Sequence, residues 1–195
     1  KIFARPTGKI DSEQGSDFAR ITAENRWCWE DGTPIVREEA TICARRKSQS
    51  GRCIDLMFRF TALGSEVLVA RRDQTHYGGL NIRLAPAGEP RIETFTDPAT
   101  ATPRRAWAQR TGIPSGGRDV VGVTILQCRH NPDYPGDWVQ FPELSWVQPT
   151  FPASGTRFAI TRDRPLVLRY RPWIHEGKHD AATLSELEAN YQTQP

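Results

Sequence analysis

The sequence predicts an all-β fold, an antiparallel β-sandwich with one C-terminal helix. Three observations carry this. Apolar residues recur with period two along most of the chain, the spacing that turns one side of each strand inward. Gly and Pro, 15 of each in 195 residues, cut that pattern into many short runs. Only one stretch, near the C-terminus, has helical spacing instead. Many strands joined by short turns stack as two antiparallel layers.

Arg52–Ala62 is the clearest strand. Ile54, Leu56, Phe58 and Phe60 fall on one face, and Cys53, Asp55, Met57, Arg59 and Thr61 on the other. In chain order the expected strands are Phe18–Trp29, Pro34–Arg46, Arg52–Ala62, Glu66–Arg71, Leu80–Leu84, Arg91–Phe95, Arg105–Arg110, Asp119–Cys128, Trp138–Phe141, Arg157–Ile160 and Leu166–Ile174. Turn clusters separate them at Glu30-Asp31-Gly32, Ser48–Gly51, Gly64-Ser65, Ala87-Gly88, Ser115-Gly116-Gly117 and Asp133–Asp137. The helix is expected over Ala181–Tyr191, where Leu184, Leu187 and Tyr191 share a side and Thr183 with Glu186 forms a capping-box pattern. Such a helix covers a sheet edge or serves as the interface of a homo-oligomer. No linker, repeat or composition shift divides residues 1–195, which read as one domain.

Composition excludes several classes. Hydrophobic residues make up 37% and no segment approaches the roughly 20 apolar residues that cross a bilayer as a helix. The net charge is +3, with Arg supplying all but Lys1, Lys9, Lys47 and Lys178 of the 26 basic residues. These Arg are scattered, whereas nucleic-acid binding needs a clustered basic face, so no nucleic-acid partner is expected. The first residues, Lys1 to Gly8, contain neither an initiator Met nor an apolar signal-peptide core, so the compartment stays open, periplasmic or secreted included.

Cys28, Cys43, Cys53 and Cys128 form no C-x-x-C spacing and allow three pairings if all are oxidised. A bridge between Cys43 and Cys53 across a turn is one reading; small buried hydrophobes is the favoured one. The four His residues are the best chemical handles, and all fall at strand ends or in loops. His76 precedes Tyr77-Gly78-Gly79, with Arg83 at the end of the following alternating stretch, a set suited to a polyhydroxylated or carboxylated ligand. His76 and His130 are the acid/base candidates, against the plainer reading of hydrogen-bonded loop residues. His175 and His179 are separated by Gly177, which removes the helical context of a zinc-protease motif.

Six Trp residues stand out, and most Trp are core. Trp173, however, shares a strand face with Arg169, Arg171 and His175, a set that suggests a polar groove with a stacking surface for a sugar ring. The substrate-binding candidates are therefore Tyr77, Arg83, Arg171, Trp173 and His175. Glu30, Asp55, Asp133 and Glu143 are acidic partners that no spacing rule ranks, and Asp133 with Asp137 around Gly136 offers a weak calcium-loop pattern. No dinucleotide, P-loop or nucleophile-elbow motif occurs, and no metal site or cofactor is implied.

The order of several segments resembles a known bacterial family. Thr75 to Arg83, then Gly122-Val123-Thr124-Ile125, His130-Asn131-Pro132, Gln148-Pro149-Thr150-Phe151, Leu166 to Arg171 and His175-Glu176-Gly177 resemble the carboxy-terminal two-thirds of the PmoA-like family, which carries the label "methane oxygenase". Trp29-Glu30-Asp31-Gly32 and Glu38-Glu39 fit the same pattern. Relatives run about 100 residues longer at the amino end, with a His-His-Arg-Gly-like segment not found here. The resemblance implies a sugar-mutarotase-like or jelly-roll-like sandwich. It does not imply methane oxidation, since the chain has neither a spanning segment nor a His-rich copper constellation.

The expected function is a carbohydrate-active protein with a saccharide or sugar-derived partner: an enzyme acting on a sugar or oxidised sugar through His acid/base chemistry, or alternatively a non-catalytic carbohydrate-binding module or structural subunit.

Overall fold

The computed structural model describes residues 1–72, 78–94, 104–141 and 144–193. It contains β1 (Ile2–Gln14), β2 (Phe18–Trp29), β3 (Pro34–Arg45), β4 (Arg52–Ala62), β5 (Val67–Ala70), β6 (Ile82–Arg83), β7 (Ala87–Glu93), β8 (Trp107–Pro114), β9 (Val121–Gln127), β10 (Trp138–Phe141), β11 (Trp146–Pro149), β12 (Arg157–Ile160), β13 (Leu166–Glu176) and α1 (Ala181–Gln192). Eight strands form one antiparallel sheet in the order β1-β2-β3-β4-β13-β9-β8-β7. The first four are a meander. β13 then returns to pair with both β4 and β9, so the last strand joins the two halves of the sheet.

Alternation along these strands gives the sheet two unlike faces. On the inner face, β10-β11-β6 and β12-β5 form a second, broken layer. Ala108 and Ile125 pack there against Trp138 and Val147, and Leu166, Leu168 and Tyr170 pack with Ile160 and Phe151. On the outer face, α1 lies over Trp107, Leu126 and Trp173, with Leu184 fully buried and Leu187 and Tyr191 packed beside it. The apolar side of the helix is thus used against its own sheet. The architecture is the expected all-β sandwich with one C-terminal helix.

The second layer stops short of the N-terminal strands. Ile21 pairs with Ile42 and Ile42 with Leu56, so the inner face runs on across β2 and β3 as an apolar surface. Ile10, Ile21 and Ile42 on it are 68%, 51% and 47% exposed.

Several local expectations need correction. β1 was not expected as a strand, because Pro6 and Gly8 interrupt its alternation. Register shifts between Pro6 and Ile10 and Gly8 takes a φ of 83°, a bulge that an edge strand tolerates because its outer N–H groups need no partner. β11 is too short, and too evenly buried, to show a period. Ala87-Gly88 starts β7 instead of turning the chain, with the register shift between Gly88 and Arg91 absorbed where Glu89 takes a φ of 49°. The helix is capped by Asp180, whose carboxylate accepts from the Thr183 N–H, and not by a Thr183–Glu186 box. All four cysteines are free; Cys43 lies opposite Asp55, out of register with Cys53. Among the described residues no helix is long and apolar enough to cross a membrane.

Candidate functional site

The outer face carries a groove of about 540 Å³ where β2, β3, β4 and β13 run past the end of α1, within the size range of small-molecule sites. Cross-strand register builds its floor. Arg20 lies opposite Cys43 and Cys43 opposite Asp55; one row on, Thr22, Thr41, Met57 and Arg169 succeed one another across the four strands. Arg45, Arg171 and Tyr191 complete the walls, with Cys128 and His130 at one side.

His130 reaches this place because its loop is clamped from two directions. The Asn131 side chain donates to the Arg169 carbonyl at 2.8 Å and accepts from the Arg169 N–H at 2.7 Å, extending the edge of β13. The Gln192 amide at the end of α1 accepts from the Arg129 N–H and donates to the Gln127 carbonyl, each at 2.8 Å. The imidazole Nδ1 then stands 3.7 Å from the Cys128 Sγ, with the ring exposed.

Positive charge dominates the groove. Asp55 bridges two guanidinium groups, accepting from Arg45 Nε at 2.9 Å and from Arg171 Nε at 2.5 Å. Its hydrogen bond holds the Arg45 guanidinium more firmly protonated than usual. Arg171, only 7% exposed, stacks over the Tyr191 ring at 4.6 Å. Burial pushes the Tyr191 hydroxyl well above the ordinary phenol range, so it stays neutral. Arg20 pairs with Glu13 at 3.0 Å, while no carboxylate among the described residues pairs with Arg169. Such an arrangement can bind an anion and present fixed donors and one ionised acceptor to hydroxyl groups.

Further along β13 the same face closes over. Trp173 is 4% exposed and His175 3%. The rings of Trp173, His175 and His179 meet with centroids 4.3 to 4.7 Å apart under the start of α1. His175 Nδ1 lies 3.4 Å from the Glu176 carbonyl, which can only accept, so Nε2 accepts from the Thr124 hydroxyl at 3.0 Å. Gly122 leaves the space that this ring fills: a Cβ there would stand 2.3 Å from His175 Cε1. Burial depresses the His175 pKa to about 4. Gln109 completes the anchorage, accepting from the His179 N–H at 3.0 Å and donating to its carbonyl at 2.9 Å.

The structure therefore brings His130 and Arg171 into one groove and sets Trp173 and His175 beside it in a buried cluster. Arg83 is elsewhere, in the small inner-face sheet, with its guanidinium 5.1 Å from the Trp146 ring. His76, Tyr77 and Glu143 lie outside the described residues. Glu30 faces the N-terminal amine at 3.9 Å. Asp137 pairs with Arg71 and Arg104, and Asp133 accepts from the Ala153 N–H, so these carboxylates turn to different partners instead of a common ion. Among the described residues no three His, Cys, Asp or Glu side chains converge as metal ligands. Arg20, Arg45 and Tyr191 escaped the sequence reading as site residues because two separate strands, β2 and β3, and the helix supply the groove with them. Only their shared outward parity in neighbouring strands could have pointed to it.

A family model described as "Family of unknown function (DUF6807)" matches residues 5–189. No curated protein and no solved structure matches the chain.

Proposed function

We propose that this chain, which belongs to the DUF6807 family of unknown function, is a carbohydrate-active protein that takes a sugar or oxidised sugar in the outer-face groove. One observation supports this above the others: His130 and Arg171 share a groove with Asp55, Tyr191 and the Thr22 and Thr41 hydroxyls. A sugar needs closely spaced donors and acceptors held in fixed orientation, and the Arg45–Asp55–Arg171 bridge is held that way by three strands, β3, β4 and β13. His130 is the acid/base group in this reading, since imidazole is the side chain that ordinarily exchanges protons near neutrality. The PmoA-like affinity belongs to the same proposal; the motifs that support it, from Thr75 to Gly177, lie within the family match.

The test is a screen of sugars and sugar acids for binding and for product formation, repeated with His130→Ala and His76→Ala. Loss of turnover with binding retained supports the enzyme. Binding without product, insensitive to both substitutions, supports the non-catalytic module instead. Turnover that survives both substitutions overturns the His chemistry.

A second reading, a structural subunit, is favoured by the uncovered apolar face carrying Ile10, Ile21 and Ile42. The C-terminal helix offers less to a homo-oligomer, because Leu184, Leu187 and Tyr191 are already packed on the sheet. A strictly monomeric mass by light scattering would weigh against this reading.

A further inference from the structure

We infer that the groove selects a monosaccharide bearing one carboxylate, with Arg169 receiving the carboxylate and the Arg45–Asp55–Arg171 bridge receiving hydroxyls; this rests on the saccharide reading of the groove. The charges are not equivalent. Arg20 already has Glu13 at 3.0 Å, and Arg45 and Arg171 share Asp55. Arg169 lines the groove, is exposed, and has no carboxylate partner among the described residues. A guanidinium offers a planar pair of N–H donors that matches a carboxylate, so an incoming acid finds its strongest contact at Arg169.

The other half of the site sets the limit on charge. Asp55 is fixed as an ionised acceptor between two guanidinium groups, and its remaining lone pairs suit hydroxyl donors. A second negative charge on the ligand would face that carboxylate across the same groove. One carboxylate and several hydroxyls therefore fit better than a phosphate dianion. Because Arg169 holds its strand through its backbone bonds to Asn131, shortening its side chain leaves those bonds in place.

Isothermal titration with the full chain tests this using D-glucuronate, D-galacturonate and D-gluconate, each against its neutral counterpart D-glucose, D-galactose or D-glucitol. D-glucose 6-phosphate and acetate complete the set. The expected result is one acid bound at least about tenfold tighter than its neutral counterpart, the worth of one charge-assisted contact. Arg169→Met should abolish that preference while thermal unfolding stays unchanged, and Arg169→Lys should restore it only in part. A neutral sugar bound as tightly as its acid overturns the inference and leaves the saccharide reading standing. Tightest binding of the sugar phosphate overturns the carboxylate assignment, and a preference that survives Arg169→Met overturns the role of Arg169. Acetate binding as tightly as the best sugar acid, or no binding by any member of the set, overturns both.

Discussion

The Arg171 guanidinium lies 4.6 Å from the centre of the Tyr191 ring while its Nε donates to Asp55, a residue 116 positions earlier in the chain. One side chain thus ties β13 to β4 and to the end of α1. Its own exposure is small, so losing the carboxylate strands a buried charge. Asp55→Ala should cost about 2 kcal/mol in denaturant unfolding. Arg45→Ala should cost under about 1 kcal/mol, because that guanidinium is half exposed and its pair is screened by solvent. Equal losses in the two variants would contradict the assignment of Arg171 as the buried partner.

His175 makes stability depend on mild acid. Its pKa falls from 6.5 to about 4 on folding, because burial penalises the charged ring. Above pH 6.5 it is neutral in both states and the stability is complete. As the pH drops below that value the unfolded chain takes up a proton that the folded chain does not. The loss should accumulate between about pH 6.5 and pH 4, reaching about 3 kcal/mol. Melting curves across that range should show a shallower fall for His175→Gln than for the parent; parallel curves would contradict the buried neutral ring.

Gly122 and His175 should be coupled. Alanine at 122 puts a methyl group 2.3 Å from Cε1 of a ring held by Thr124 and stacked on Trp173. Gly122→Ala should destabilise by about 2 kcal/mol. With His175→Ala already present the same change should be neutral or slightly stabilising, since only the unfolded-state entropy gain remains. An additive double-mutant cycle would refute the steric account.

Leu184 should control the docking of α1. It is fully buried against Trp107, Leu126 and Trp173. Leu184→Ala should cost about 3 kcal/mol and shift tryptophan emission to longer wavelength as water reaches Trp173. Unchanged emission with that loss of stability would mean the helix stays seated.

Much of this was legible in the sequence, and the boundary is physical. The strand from Arg52 to Ala62 was readable because one of its faces is buried, which imposes the period of two. β1 was not, because an edge strand exposed on both faces has no burial to enforce a pattern. The odd-numbered set Arg169, Arg171, Trp173 and His175 was correctly placed on one face, since alternation is local. What α1 does to that face is not local: it buries Trp173 and His175 and leaves Arg169 in the open groove. Arg20 and Arg45 become neighbours of Arg171 only through a register that spans four strands.

The inner face of β2 and β3 leads to the last prediction. Ile21 and Ile42 are paired neighbours, each about half exposed, and Ile10 beyond them is more exposed still. Along the same face, Ala19, Ala23, Ala40, Ala44 and Ile54 add no charge to break the surface. The opposite face of these strands carries Arg20, Glu39, Arg45 and Asp55, so the asymmetry belongs to the pattern of the strands themselves. Contiguous apolar patches beyond a few hundred Å² are rare on free surfaces. This chain should therefore bind an apolar fluorescent dye in its folded state. Ile21→Lys with Ile42→Lys should remove most of that binding and lower any self-association seen by light scattering. Stability should change by less than about 1 kcal/mol, since neither side chain is buried. Dye binding that persists in the double variant would move the apolar surface elsewhere, and a large loss of stability would show that Ile21 and Ile42 are packed against something within the fold.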